Sequence, residues 1–416
     1  MSNVHHSAVK TCDGISRSRL EEILGRIGGV KAGLVGDLCL DAYWHADMRR
    51  SELSRETPHY PLPIVEERMA LGGGANAAAN MAALAPQSVR VFSVIGRDWR
   101  GAELERLLGE AGIGHSGVIR AAGRVTNAYI KPIRKGISDV AYEDPRLDFA
   151  SYEPLPQSAE DKLIAALGEA AGELDVLCVS DQMPNGAITE RVRARICELA
   201  RGGLLVVADS RDRIGLFSGV TLKPNEHEGI RASGLKFEGR PGVKGCAEAA
   251  RSLARKTGCS VFMTLGERGS LYAGCSGIAG GWQDGGAGIG GSYGDVRENG
   301  YGDVLENGCG DARNGCGCGQ ESANAARQDG CNAARQQHVS YVPAHRVGGP
   351  IDICGAGDSS ASGFALSLAA GAAPWEAACV AGLCSEVTIQ QIGATGAASA
   401  AQVLAWHSRL LQQQPA

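Results

Sequence analysis

The stretch "ICGAGDSSASGF" (353–364) sets one carboxylate, Asp358, directly after Gly355-Ala356-Gly357 and ahead of a run of small residues. Ser359 to Gly371 reads as a helix, so Asp358 falls in or near its first turn. Bare amides at a helix N-terminus can cradle a phosphate, and a carboxylate beside them can serve as a general base. The same arrangement can also be a plain helix cap.

Three further stretches offer chemistry. In "LGGGANAAANMAAL" (71–84), Gly73 and Gly74 let backbone amides approach a polar ligand, and Asn76 adds a donor and an acceptor. Gly72-x-Gly74-x-x-Ala77 matches a dinucleotide fingerprint in form, but the preceding "EERMA" does not read as the buried strand that fingerprint needs. In "LKPNEHEG" (222–229), Asn225 and Glu228 share a face if a helix starts there. That pair suits the hydration shell of Mg²⁺, or a cap. In "MTLGERG" (263–269), Thr264, Gly266 and Gly269 form a strand end fit for close approach of a nucleotide, or for a hairpin turn. The chain has no G-x-x-x-x-G-K-[ST] and no H-E-x-x-H, and the G-x-S-x-G at 290–294 lacks the strand and helix of a nucleophile elbow.

These residues need a scaffold. Short apolar runs at 31–37, 88–98, 175–181, 203–212 and 259–269 read as strands. Helical patterns at 75–85, 99–112, 157–172, 187–201 and 243–257 lie between them. The alternation predicts an α/β fold, a doubly wound sheet with helices on both faces. Ligands in such sheets bind beyond the C-terminal strand ends, which is where Asp37, Asp98, Asp181, Asp209 and Gly266 fall. Segments 41–67 and 124–149 hold β-like pieces without helix and suit a small projecting β lid.

Residues 1–30 read as a polar leader and a helix from about Ser18, and 31–274 with 338–416 as one domain. Between its parts, 275–337 is a glycine-rich insertion with an approximate octad ("GDVRENGY", "GDVLENGC") and too little apolar residue to offset ordering, hence expected to be disordered. A calcium-binding β-roll would need a nine-residue period. A zinc site through Cys309, Cys316, Cys318 and Cys331 would lack any C-x-x-C pair. The net charge of −5 argues against a nucleic-acid partner. No apolar run approaches the ~18 residues of a membrane span. Several cysteines in apolar stretches and a leader without an apolar core imply a reduced cytoplasm.

A Gly-Gly-x-Asn cluster, N-x-x-E, T-L-G-x-x-G and G-A-G-D, in that order, resemble the ribokinase/PfkB carbohydrate kinase family. "DICGAGDSSASGFALSLAAG" (352–371) is similar to its C-terminal signature, and the resemblance covers most of 31–274 and 338–400. "GDLCLDAYW" (36–44), 71–84, "SD" (180–181) and "QQIGATGAAS" (390–399) are most similar to the heptose-phosphate kinases, the kinase half of bifunctional ADP-heptose enzymes. The chain departs from them in reading "ELSRETPHYPLP" at 52–63 and Ile353 after Asp352, and with its end at Ala416 no nucleotidyltransferase domain is expected to follow.

The resemblance implies a ribokinase-like fold and an ATP- and Mg²⁺-dependent kinase for a sugar or sugar phosphate, a D-glycero-D-manno-heptose 7-phosphate foremost. Asp358 would be the base, and the amides of Gly355, Ala356 and Gly357 an anion hole. Asp37, Asp41, Gly73, Gly74 and Asn76 would hold the sugar, and Lys131, Arg134 and Arg146 a phosphate already on it. Asp181, Lys223, Asn225, Thr264, Gly266 and Gly269 would line the nucleotide site, with Asn225 and Glu228 organising Mg²⁺ through water. A homodimer through the lid is a further expectation. The alternatives are another specificity of the family (fructose phosphate, ribose, nucleoside), a catalytically silent sugar-binding protein, and a scaffold for the insertion.

Overall fold

A computed structural model describes residues 9–136, 138, 140–274, 339–393 and 395–413. The insertion, with its calcium and zinc readings, lies outside the described residues.

The first part of the chain runs β1 (Val9–Thr11), α1 (Arg17–Ile27), β2 (Lys31–Gly36), β3 (Leu38–Asp47), β4 (Ile64–Gly73) and α2 (Gly74–Ala83). It continues β5 (Ser88–Gly96), α3 (Trp99–Glu110), β6 (Gly114–Ala121), β7 (Ala128–Lys135), β8 (Tyr142–Glu143) and β9 (Leu147–Phe149). Then come α4 (Gln157–Ala170), β10 (Val176–Asp181), α5 (Glu190–Arg201), β11 (Leu205–Ser210), β12 (Thr221–Leu222) and α6 (Glu226–Ser233). The last part is α7 (Val243–Thr257), β13 (Ser260–Thr264), β14 (Ser270–Ala273), β15 (Val339–Val342), α8 (Ala356–Ala369), α9 (Pro374–Thr388) and α10 (Ala400–Gln413).

Ten strands form the main sheet in the order β1-β15-β14-β13-β12-β11-β10-β2-β5-β6, parallel except for β14, which runs antiparallel to both neighbours. Its central strands are apolar because both faces are covered. On one face Ile23, Met81, Leu104, Phe364 and Val380 pack from α1, α2, α3, α8 and α9. On the other, Leu163, Ile196 and Leu253 pack from α4, α5 and α7. Phe364 stacks on Phe262 with centroids 3.9 Å apart, pinning α8 to β13. The small residues of α8 allow its close approach to α9: a Cβ on Gly363 would lie 3.0 Å from Cys384 Sγ.

The lid segments form a second sheet, β4-β3-β7-β8, with β9 also on β7. β3 runs antiparallel to β4 and parallel to β7.

Sequence reading missed several elements. Part of the expected leader is a strand, β1, paired with β15. "GHSGVIRA" is strand β6 despite its glycines and polar residues. "EERMA" lies in β4, which leads straight into α2, yet β4 pairs antiparallel with β3 in the small mixed sheet rather than forming a parallel βαβ unit. Among the described residues no helix is long and apolar enough to cross a membrane.

Candidate active site

Asp358 stands in the first turn of α8, whose N-cap Gly355 adopts φ +79°. A Cβ on Gly355 would lie 3.1 Å from Asn76 Nδ2, so glycine both permits the turn and lets α8 meet α2. Asn76 Nδ2 donates to Asp358 Oδ2 at 2.6 Å. Asn80, one turn on along α2, donates to the Asn76 carbonyl at 3.0 Å and to its Oδ1 at 3.3 Å. An oxygen facing that donor fixes the amide so that its nitrogen faces Asp358.

Burial pushes the Asp358 carboxyl up to about 6, with Asp209 and Asp41 adding to it against the Asn76 hydrogen bond and Lys223. Lys223 Nζ donates to Asp209 Oδ2 at 2.6 Å. It also lies 3.5 Å from where a Cβ on Gly357 would be. Burial works against its charge, but Asp209, with Asp358 and Glu228, holds its pKa above the ordinary value.

The first-turn amides of a helix have no partner within it. Of the three expected in the anion hole, that of Ala356 donates to the Ile353 carbonyl at 3.2 Å, a turn bond that takes it out of the set. Gly73 caps α2, and the Gly74 amide donates to the Asp37 carbonyl at 2.9 Å.

Asp41 and Asp37 have different surroundings. Asp41, on β3, is 6% exposed and its Oδ1 has no partner among the described residues. Burial raises its pKa against Lys131 and Arg146. Asp37 accepts from the amides of Gln182 (2.9 Å), Met183 (2.7 Å) and Ala187 (2.6 Å). Its carboxylate is occupied by the loop after β10, which departs from the expected sugar contact. Asp181 departs likewise: it accepts from Ser210 Oγ at 2.6 Å and pairs with Arg213, with its side chain fully buried.

Asn225 and Glu228 form a reciprocal capping box on α6, with Asn225 Oδ1 accepting at 2.9 Å and Glu228 Oε2 at 2.8 Å. Burial raises the Glu228 pKa, and Asp209 adds to this against the hydrogen bond from the Asn225 amide and the charges of Lys223 and Arg211. Among the described residues no three His, Cys, Asp or Glu form a metal-ligating group. The second Glu228 oxygen and the charge of Asp209 nonetheless fit a Mg²⁺ held through its waters. The cap itself is testable. Asn225→Ala is expected to lower the unfolding free energy by about 1 kcal/mol, and Asn225→Ser to restore most of it, read by urea denaturation.

Thr264 ends β13, and Gly266 and Gly269 lie on the turn that joins it to the antiparallel strand β14. Gly269, at φ +93°, would place a Cβ 2.1 Å from the Val342 carbonyl, so its conformation serves the hairpin. On β7, Lys131 forms no ion pair among the described residues and lies 5.0 Å from the Tyr43 ring centroid. Arg134 is three residues on, hence on the opposite face, and pairs with Asp144 at 2.7 Å. Arg146 pairs with Asp148 at 2.6 and 2.7 Å over the Tyr129 ring.

Sequence reasoning passed over Asn80 and treated Asp209 only as a strand end. The first carried an i, i+4 relation to Asn76 as its signal, and the second its place at the C-terminal edge of the sheet.

No family model matches the chain. It is 31% identical over 264 residues to the bifunctional protein HldE of Citrifermentans bemidjiense, covering 61% of this chain and 52% of that protein. It is 30% identical over 237 residues to the bifunctional protein HldE of Geotalea uraniireducens, covering 56% and 46%. The chain thus spans about half the length of the curated relatives it matches. Phosphofructokinase-2 from Escherichia coli, in complex with potassium, superposes with a TM-score of 0.61 at 16% identity, over 92% of this chain and 99% of that one. Arabidopsis thaliana ribokinase complexed with ribose and ATP gives 0.56 at 16% identity, over 91% and 98%.

Proposed function

The chain belongs to the ribokinase/PfkB family of carbohydrate kinases, and from that premise we propose that it transfers the γ-phosphoryl group of ATP to a hydroxyl of a phosphorylated sugar. One observation carries the reading: Asp358, its carboxyl pushed up to about 6 by burial, is held by Asn76 at a helix N-terminus beside Lys223.

The acceptor hydroxyl lies against Asp358. As its oxygen bonds to the γ-phosphorus, the bond from that phosphorus to the ADP oxygen breaks and the hydroxyl proton passes to Asp358. Such transfers depend on positioning and charge neutralisation more than on covalent chemistry. The amides of Gly355 and Gly357 and the N-terminus of α8 face the phosphoryl oxygens. Lys223, kept charged by Asp209, adds positive potential there. Glu228, seated by Asn225, would hold Mg²⁺ through water, and that ion supplies charge neutralisation on the phosphate chain. The hairpin of Thr264, Gly266 and Gly269 flanks the nucleotide. Asp41, Gly73 and Asn76 take the sugar, the Gly74 amide being held by the Asp37 carbonyl, and the lid sheet excludes water that would compete as acceptor.

Two HldE relatives at about 30% identity favour D-glycero-D-manno-heptose 7-phosphate over fructose phosphate, ribose or a nucleoside. The nine described cysteines, all free thiols, support a cytoplasmic setting. Exposed Ile64 and Leu147 on the small sheet, with exposed Leu62 just before β4, support a homodimer through the lid.

The test is ADP release from Mg-ATP over a panel of free and phosphorylated sugars. Turnover is expected with sugar phosphates, the heptose 7-phosphate highest. Preference for another sugar phosphate would remove the heptose assignment, preference for free sugars the phosphorylated substrate, and no turnover the kinase reading.

A further inference from the structure

The row of the small sheet next to Asp41 holds Tyr43 and a residue that no motif included, Arg68. Tyr43 on β3 stands opposite Arg68 on β4 and Lys131 on β7. Directly opposed residues share a face of a sheet, so the three side chains form one row. The Arg68 guanidinium lies 4.2 Å and the Lys131 ammonium 5.0 Å from the Tyr43 ring centroid. Tyr43 itself is buried.

Two cations are therefore gathered on one ring. Lys131 has no ion pair among the described residues, while Asp41, Cys354 and Glu143 act on its charge. Arg68 donates to the Gly393 carbonyl at 2.6 Å, which leaves most of its five N–H donors for other use.

The position of the row matters as much as its charge. It lies two residues along β3 from Asp41, about 7 Å, and on the same face. Asp41 presents a buried oxygen, Oδ1, without a partner among the described residues. Gly393, the residue Arg68 holds, donates its amide to Asp352 at 3.1 Å, so the row is tied to the segment that leads into Asp358. Arg134 and Arg146, the other expected phosphate ligands, are already paired with Asp144 and Asp148.

We propose that Arg68 and Lys131, braced on Tyr43, bind the phosphate already present on the sugar, while Asp41 accepts from a sugar hydroxyl and Asp358 takes the acceptor hydroxyl. Arg68 is thereby a specificity-determining residue for sugar phosphates over free sugars. The inference rests on the kinase reading for the identity of the sugar, but its test does not require turnover.

The experiment is equilibrium binding of heptose 7-phosphate and of the unphosphorylated heptose to the full chain, by calorimetry without ATP. The wild type is expected to prefer the phosphorylated sugar at least ~10-fold. Arg68→Gln and Lys131→Gln are each expected to lose ~10-fold for the phosphorylated sugar with unchanged affinity for the free one. The unchanged affinity also reports an intact site, which separates lost charge from lost folding. No preference in the wild type, or a preference kept in both variants, overturns the proposal. Absence of turnover with the expected binding pattern would remove the kinase reading and leave the phosphate subsite standing.

Discussion

Asp358→Asn is expected to give a protein more stable than the wild type at pH 8. The folded state holds this carboxyl at about 6, chiefly through burial, whereas an unfolded chain gives it about 3.9. Ionisation therefore costs more in the folded state. Below about pH 4 the carboxyl is protonated in both states and the penalty vanishes. It grows as pH rises through 4 to 6 and is constant above. Two pKa units correspond to at most about 3 kcal/mol, and partial exposure of the side chain reduces this toward 1. An asparagine keeps an acceptor for Asn76 and carries no charge. Urea denaturation across pH 4–8 should thus show the variant's advantage appear with rising pH. A variant less stable at pH 8 would mean that the carboxylate is a structural cap and its burial no penalty.

Asp37→Ala is expected to do the opposite, at greater magnitude. Its two oxygens satisfy three amides on the loop after β10, two on Oδ2 and one on Oδ1. The loop closes tightly on it, since a Cβ on Gly186 would lie 2.1 Å from Oδ1. Truncation leaves three donors without a partner, each costing about 1–3 kcal/mol when buried. A net loss of about 3–5 kcal/mol is expected, among the larger values for a single substitution. Asp37→Asn should recover only part of it. Its one carbonyl oxygen can serve the Gln182 and Met183 amides, but its NH₂ then faces the donor of Ala187. A raised KM for the sugar with unchanged stability would instead mark Asp37 as a substrate ligand.

The two aspartates show what the sequence could and could not convey. Asp37 and Asp41 are one residue type, four positions apart beside a strand end, and both suit a sugar. The distinction lies in a loop some 145 residues on, which closes over Asp37, while Asp41 Oδ1 has no partner among the described residues. The meeting of Asp358 and Asn76 was legible because glycine and small residues mark the places where two helices approach closely. Asn225 and Glu228 were legible as a pair, and the cap was one of two readings open to them. Of the basic lid residues, period-two alternation places Lys131 and Arg134 on opposite faces, but only tertiary pairing shows that Arg146 is already spent on Asp148. Arg68 carried no signal, because its relation to Tyr43 depends on the register of β3 and β4. The parallel core was readable from strands alternating with helices. β1 was not, because its partner β15 lies at the far end of the sequence.

The most direct measurement is ADP formation by the wild type and by Asp358→Asn, with saturating Mg-ATP and the best sugar phosphate, alongside Mg-ATP affinity for both. A general base contributes typically ~10²–10⁴-fold, so the variant's kcat is expected to fall about 10³-fold with Mg-ATP affinity nearly unchanged. A variant that turns over within tenfold of the wild type would contradict the assignment of Asp358 as the group that takes the hydroxyl proton.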